Sequence, residues 1–180
     1  MNAKKPTKRK TSQDPAAQRT LLLVLLLSFT ICAGILAFKL NPGIVPDENA
    51  HFIFAKHYAS TWGIPPDVPE TYAQGWYIAH YPFLYHWFAG RVINLTRLFA
   101  PAAPDHTLLV VLRLTSVLFA AGTLGITYLL SRELIRKKWW PLLPVFLLAN
   151  TLMFTFLAGG ANYDNLTNLL CCILGTPLGT

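Results

Sequence analysis

The chain has 180 residues, 53% hydrophobic and only 13% charged, with a formal net charge of +7 and a mean hydropathy of +0.41. That balance argues against an ordinary water-soluble domain and matches an integral membrane protein. The charge is concentrated: Lys4, Lys5, Lys8, Arg9, Lys10 and Arg19 precede the first apolar run, opposed only by Asp14 and with no aromatic residue among them. Such a tail reads as the cytosolic flank of a span rather than a nucleic-acid-binding arm.

The expected elements follow in chain order. Residues 1–20 form a basic, disordered cytosolic tail. Residues 21–38, at about 1.5 Å per residue, reach roughly 27 Å, enough for a first transmembrane helix. This run is too long for the apolar core of a signal peptide, and no small-x-small cleavage site follows it, so it reads as an uncleaved anchor. Residues 39–106 make a large loop, and residues 107–131 a second span interrupted only by Arg113. A basic loop at 132–138 leads to a third span at 139–158, which opens on Trp139 and Trp140. A short loop at 159–164 precedes residues 165–180, read as the start of a fourth span that is cut short. Cys32, Cys171 and Cys172 all lie in apolar runs, where cysteine packs as a small hydrophobe.

Arg132, Arg136, Lys137 and Lys138 repeat the basic signature of the tail. Two basic clusters on one side require an even number of crossings between them, which places loops 39–106 and 159–164 on the non-cytosolic side. Within the first loop, Phe52, Ala55, Ala59 and Trp62 recur at helical spacing. A second helix begins at Pro82, and Phe83, Leu84, Trp87, Phe88, Val92, Leu95 and Phe99 form its apolar stripe, as on a helix lying in the membrane interface. Pro65, Pro66, Asp67, Val68 and Pro69 form a turn-rich connector between the two. The expected fold is therefore an all-α polytopic membrane protein with about four transmembrane helices, the fourth truncated, plus two interfacial amphipathic helices in the first non-cytosolic loop.

The polar residues of these loops carry the chemistry. Asp47 and Glu48 stand where a helix begins, so they suit either a cap at the positive end of the helix dipole or a base with a neighbour that tunes it or helps hold a cation. Glu48 and His51 share one helix face in a Glu-x-x-His spacing, as in carboxylate-bridged metal sites. His80 precedes the second interfacial helix and could meet an anionic group or simply be solvated. Asn162 and Asp164 are either a second polar group at the same face or another helix cap.

Three motifs in order, Pro46-Asp47-Glu48-x-Ala50-His51-Phe52, His80-Tyr81-Pro82-Phe83-Leu84-Tyr85, and Asn162-Tyr163-Asp164-Asn165-Leu166-x-Asn168-Leu169-Leu170, resemble the amino-terminal part of GT-C membrane glycosyltransferases. The likeness spans about residues 20–175 and is to the bacterial branch related to protein O-mannosyltransferases and lipid A aminoarabinose transferases. The resemblance implies sugar transfer from a polyprenyl-phosphate donor to a lipid, glycan or protein acceptor at the non-cytosolic face of a bacterial inner membrane. It implies catalytic roles for Asp47 and Glu48, and substrate contacts from His51, His80, Arg91, Asn162 and Asp164. A departing phosphate needs compensating positive charge, from Arg91, Arg97 or Arg113 or from a divalent metal cation, for which Asp47 and Glu48 are the available ligands. The three arginines can equally snorkel. Such enzymes generally have eight or more spans, so this chain reads as a fragment of one. The alternatives are a small membrane interaction subunit and a fragment of a metal-binding transporter.

Overall fold

The computed structural model describes residues 15–74, 78, 81–135 and 137–176, and all regular structure among them is helical. The helices are α1 (Pro15–Lys39), α2 (Glu48–Ser60), α3 (Pro69–Gln74), α4 (Phe83–Phe99), α5 (Asp105–Leu134), α6 (Leu142–Ala149), α7 (Leu152–Ala158) and α8 (Asp164–Leu174). Two of them, α1 and α5, are long and apolar enough to cross a membrane.

α5 is the axis of the fold. Its lower part packs with α1, α6 and α7 through Phe29, Ala33, Ala37, Val117, Ala120, Leu124, Val145, Phe154 and Ala158. The alanines on α1 let its backbone come close, as small residues do at helix contacts in membrane proteins. Nearer its start, α5 turns Leu108, Leu109 and Leu112 to a second cluster with Ala55 of α2 and Tyr85, Ala89 and Ile93 of α4. α2 and α4 pack tightly on each other: a Cβ added at Gly90 would lie 2.7 Å from the Tyr58 carbonyl carbon and 2.8 Å from the Ala59 nitrogen. Only glycine permits that approach.

Several expected boundaries shift. Residues 15–20, read as disordered tail, belong to α1, because alanine, glutamine and arginine sustain a helix that the apolar run has nucleated. The second span extends to Asp105–Leu134. The connector includes the short α3, and the two loop helices stand close to where the spacing put them.

The expected single helix over 139–158 is two helices, broken at Asn150 and Thr151. These side chains bond backward to carbonyls, Asn150 Nδ2 to Phe146 at 2.8 Å and Thr151 Oγ1 to Leu147 at 2.9 Å, while Thr155 Oγ1 reaches the Ala149 carbonyl at 3.1 Å. The Phe146 carbonyl keeps the Asn150 backbone N–H as well, whereas the Thr151 N–H has shifted to Leu148, so the Thr151 hydroxyl takes up the Leu147 carbonyl.

The apolar stripe of α4 divides. Leu84, Leu95 and Phe99 are exposed, whereas Phe83, Trp87, Phe88 and Val92 are half-buried, and the fully buried face carries Tyr85, His86, Ala89, Gly90 and Ile93 instead. Two patterns overlap on this helix, one facing α2 and α5 and one facing out.

Candidate functional site

Between the two clusters lies a buried ion pair that organises the site. Glu48 opens α2, and its carboxylate accepts from Arg113 Nε at 2.8 Å and Nη2 at 2.6 Å. It also accepts from the backbone N–H of Gly43 at 3.1 Å and of Ala161 at 3.0 Å. Each oxygen therefore receives two hydrogen bonds, which uses its lone pairs. Arg113 donates its remaining bonds to the carbonyls of Ala37 (3.1 Å), Leu40 (2.7 Å) and Asn41 (3.2 Å), the open end of α1. The guanidinium is 1% exposed and the carboxylate 0%, so the pair is dry and fully bonded. Burial pushes the Glu48 carboxyl up, but the bonds from Arg113, Ala161 and Gly43 and the guanidinium charge outweigh it and hold it below the ordinary carboxylate value.

This arrangement joins the end of α1, the start of α2, the middle of α5 and the α7–α8 turn at one point. It also fixes the residue before Glu48. Asp47 has φ 57° and ψ 4°, the only non-glycine residue with positive φ among the described residues. Left-handed backbone costs an L-residue about 1–2 kcal/mol, less for Asp than for most, and such strain gathers at functional positions. The Asp47 side chain makes no capping bond and is exposed. Asp47 thus occupies the N-cap position of α2 without capping it by its side chain, and its carboxylate is left exposed.

Behind it lies His51, almost fully buried. Its Nδ1 is 3.0 Å from Nε2 of His86, whose Nδ1 is 2.9 Å from the Pro82 carbonyl oxygen. Tyr163 meets the His51 ring edge-to-face at 5.2 Å between centroids, with Tyr81 at 6.0 Å and Tyr85 at 6.2 Å. Burial holds the His51 imidazole below its ordinary pKa, against the opposing pull of Asp47, Asp164 and Glu48. Burial takes His86 further, to about 4, with the Pro82 carbonyl opposing and the positive form of His51 assisting.

The remaining expected site residues divide sharply. Asp164, half-buried in the first turn of α8, accepts no hydrogen bond from the described residues and acts electrostatically on His51 beside Asp47. Asn162 is 2% exposed and committed to the turn: Nδ2 donates to the Leu157 carbonyl at 2.9 Å, and Oδ1 accepts from the backbone and side chain of Asn165. It shapes the segment that delivers Ala161 to Glu48.

Arg91 is also elsewhere. It donates to the carbonyls of Tyr58 and Thr61 at the far end of α2 and lies over the rings of Trp62 and Trp87. Ten helical residues separate Tyr58 from Glu48, roughly 15 Å at 1.5 Å each. Arg91 caps a helix through Nη2 alone, while its Nε is buried with no hydrogen-bond partner among the described residues. His80 lies outside the described residues.

Glu48 does not stand beside Asp47 as a second reactive carboxylate, nor as a metal ligand, because its oxygens are already filled. The two residues do not fit a cation, and no group of three or more His, Cys, Asp or Glu suited to a metal occurs among the described residues. Arg113, expected either to meet a phosphate or to snorkel, does neither. Sequence reasoning missed its pairing with Glu48, although a lone arginine within an apolar helix is itself a sign of a buried partner. It also missed His86, which sits on an aromatic face with no motif to mark it. Compared with models of known families, with curated proteins and with solved structures, the chain matches none.

Proposed function

We propose that this chain carries the base-bearing portion of an integral membrane glycosyltransferase of the GT-C kind, which moves a sugar from a polyprenyl-phosphate donor to an acceptor hydroxyl at the non-cytosolic face of a bacterial inner membrane. The observation that carries the reading is the contrast between neighbours. The Asp47 carboxylate is exposed, makes no capping bond and sits on left-handed backbone, while Glu48 is buried and anchors it.

In the reaction, the Asp47 carboxylate takes the proton of the acceptor hydroxyl as that oxygen attacks the anomeric carbon. The bond from that carbon to the phosphate oxygen breaks, and polyprenyl phosphate departs with the electron pair. Attack opposite the leaving group inverts the anomeric centre. Asp164 adds negative potential at the same mouth. Charge compensation for the phosphate falls to groups other than Arg113, whose donors are all bound into the fold.

Four membrane crossings with a cytosolic amino terminus suit this reading. α1 and α5 are the long spans, and α6 with α7 and then α8 supply the shorter apolar segments. Exposed Leu21, Leu23, Val24, Leu27, Ile31 and Ile35 along α1 would contact lipid. Lys137 over Trp140 and Lys138 over Trp139 would mark the cytosolic interface.

The test is transfer in proteoliposomes holding the whole protein encoded by this reading frame, using radiolabelled polyprenyl-phosphate hexose and pentose donors. Released polyprenyl phosphate and a labelled acceptor are expected. A cysteine at Asn49 should react with an external impermeant maleimide while one at Lys137 should not. The reverse labelling, or no turnover of any donor, ends the proposal.

A further inference from the structure

The sugar-transfer reading gives His86 no task, yet its geometry is fully specified. A carbonyl oxygen can only accept, so the 2.9 Å contact with Pro82 requires the proton on His86 Nδ1. In the neutral ring Nε2 then bears a lone pair, and the 3.0 Å contact to His51 requires a proton on His51 Nδ1. His51 Nε2 is left as an acceptor, on the side of the ring away from His86.

The charged surroundings of the ring are equally one-sided. Asp47 from the turn before α2 and Asp164 from α8 both act electrostatically on His51, and neither carboxylate receives a hydrogen bond from the described residues. Glu48, the third carboxylate, is saturated by Arg113, Gly43 and Ala161. Tyr81, Tyr85 and Tyr163 enclose the imidazole edge-to-face and fix its plane. The site thus presents two carboxylates and one imidazole nitrogen as acceptors, and a complementary ligand must bring donors.

We propose that His86 is a positioning residue: it locks His51 in the Nδ1–H tautomer, so that His51 Nε2 serves as a fixed acceptor for a hydroxyl of the ligand bound beside Asp47. The nature of the ligand as a hydroxyl compound rests on the sugar-transfer reading, whereas the tautomer does not. Two donations in line, His51 Nδ1–H to His86 Nε2 and His86 Nδ1–H to the Pro82 carbonyl, keep the acceptor aimed without a charge on either ring. Donor groups of a polyol then find one acceptor already oriented beside two carboxylates, which lowers the entropic cost of binding them.

The test is nitrogen-15 NMR of histidine-labelled full chain in lipid nanodiscs at neutral pH, where protonated and lone-pair ring nitrogens are well separated. The expected result is protonated Nδ1 and unprotonated Nε2 for His51. His86→Gln, whose side-chain oxygen can still accept from His51 Nδ1, should keep that pattern, and His86→Phe should release His51 to a mixture. Methyl glucoside, methyl mannoside and methyl galactoside are then titrated. At least one should move the His51 Nε2 signal, with affinity at least about fivefold weaker in His86→Phe, as expected for a lost or misdirected hydrogen bond.

Protonated Nε2 in the wild type, or an unchanged tautomer in a folded His86→Phe protein, overturns the proposal. So does a response to Mn²⁺ with none to any glycoside, which would make the mouth a cation site. If His86→Phe does not fold, the wild type and His86→Gln still decide the tautomer. Because these signals are read without turnover, a chain that transfers no sugar would leave the tautomer result standing.

Discussion

Arg113 and Glu48, 65 residues apart in the chain, form a two-point ion pair in which Nε meets Oε1 at 2.8 Å and Nη2 meets Oε2 at 2.6 Å. Every remaining donor of the guanidinium reaches a carbonyl at the end of α1, and every remaining acceptor of the carboxylate takes a backbone N–H. A buried charge is tolerable only under such complete bonding. The pair therefore acts as a joint between segments, and Asp47 derives its position from it.

Removing one partner should be severe. Glu48→Gln leaves a guanidinium buried without its counter-charge and should lower stability by about 3–5 kcal/mol. Arg113→Lys should also destabilise, since one ammonium cannot replace a planar fork with five donors. Thermal unfolding in nanodiscs, followed by tryptophan fluorescence, checks both, and wild-type stability in either variant would contradict the joint.

Acid should weaken the fold before it reaches the carboxylates. In the unfolded chain His86 takes a proton near its ordinary 6.5, but in the fold it resists until about 4. The unfolded state binds more protons across that window, so stability falls as pH drops from 6.5 towards 4, by up to about 1.4 kcal/mol per unit. His51 acts in the same direction. Glu48 has a depressed folded pKa, so its contribution is present above 4.5 and is lost as pH falls through the folded value. Unfolding midpoints measured from pH 7.5 to 4.5 should decline, and His86→Gln should flatten the slope.

Gly90→Ala should separate α2 from α4, since the new methyl would meet α2 backbone at 2.7 and 2.8 Å rather than a movable side chain. The expected loss is about 1–3 kcal/mol. Gly34→Ala and Gly125→Ala meet nothing within 4 Å and should be neutral or stabilising by roughly 0.5–1 kcal/mol. Unfolding of the three variants side by side distinguishes a required close approach from ordinary helix propensity.

Arg91→Ala should loosen only one end of α2. Hydrogen exchange is expected to rise about tenfold at residues 57–60, whose carbonyl neighbourhood Arg91 holds, with no change at residues 48–51. A uniform rise along α2 would show that Arg91 supports more than the cap.

The helices were legible because apolar runs and 3.6-residue spacing are local properties. Residues 107–131 lie wholly within α5, and the start of α4 falls next to Pro82. The break in residues 139–158 was harder, because hydropathy averages over Asn150 and Thr151 while backbone bonding responds to each. At the site, motif position identified Asp47, Glu48, His51 and Asp164 as neighbours, but spacing carries no information on which of two adjacent acids turns inward. That choice depends on Arg113, on another helix, and on N–H groups from two loops. The same holds for Asn162 and Arg91: in sequence a polar side chain looks alike whether it faces a ligand or bonds a carbonyl of the fold.

In the proposed reaction Glu48 holds the structure and Asp47 does the chemistry. Asp47→Asn tests it most directly, because asparagine keeps the shape and tolerates left-handed backbone as aspartate does. The whole protein encoded by the reading frame is reconstituted, and sugar transfer and thermal unfolding are measured on one preparation. Unfolding within about 0.5 kcal/mol of wild type and transfer reduced about 10²–10⁴-fold are expected. A folded Asp47→Asn protein that transfers sugar within about twofold of wild type would contradict it.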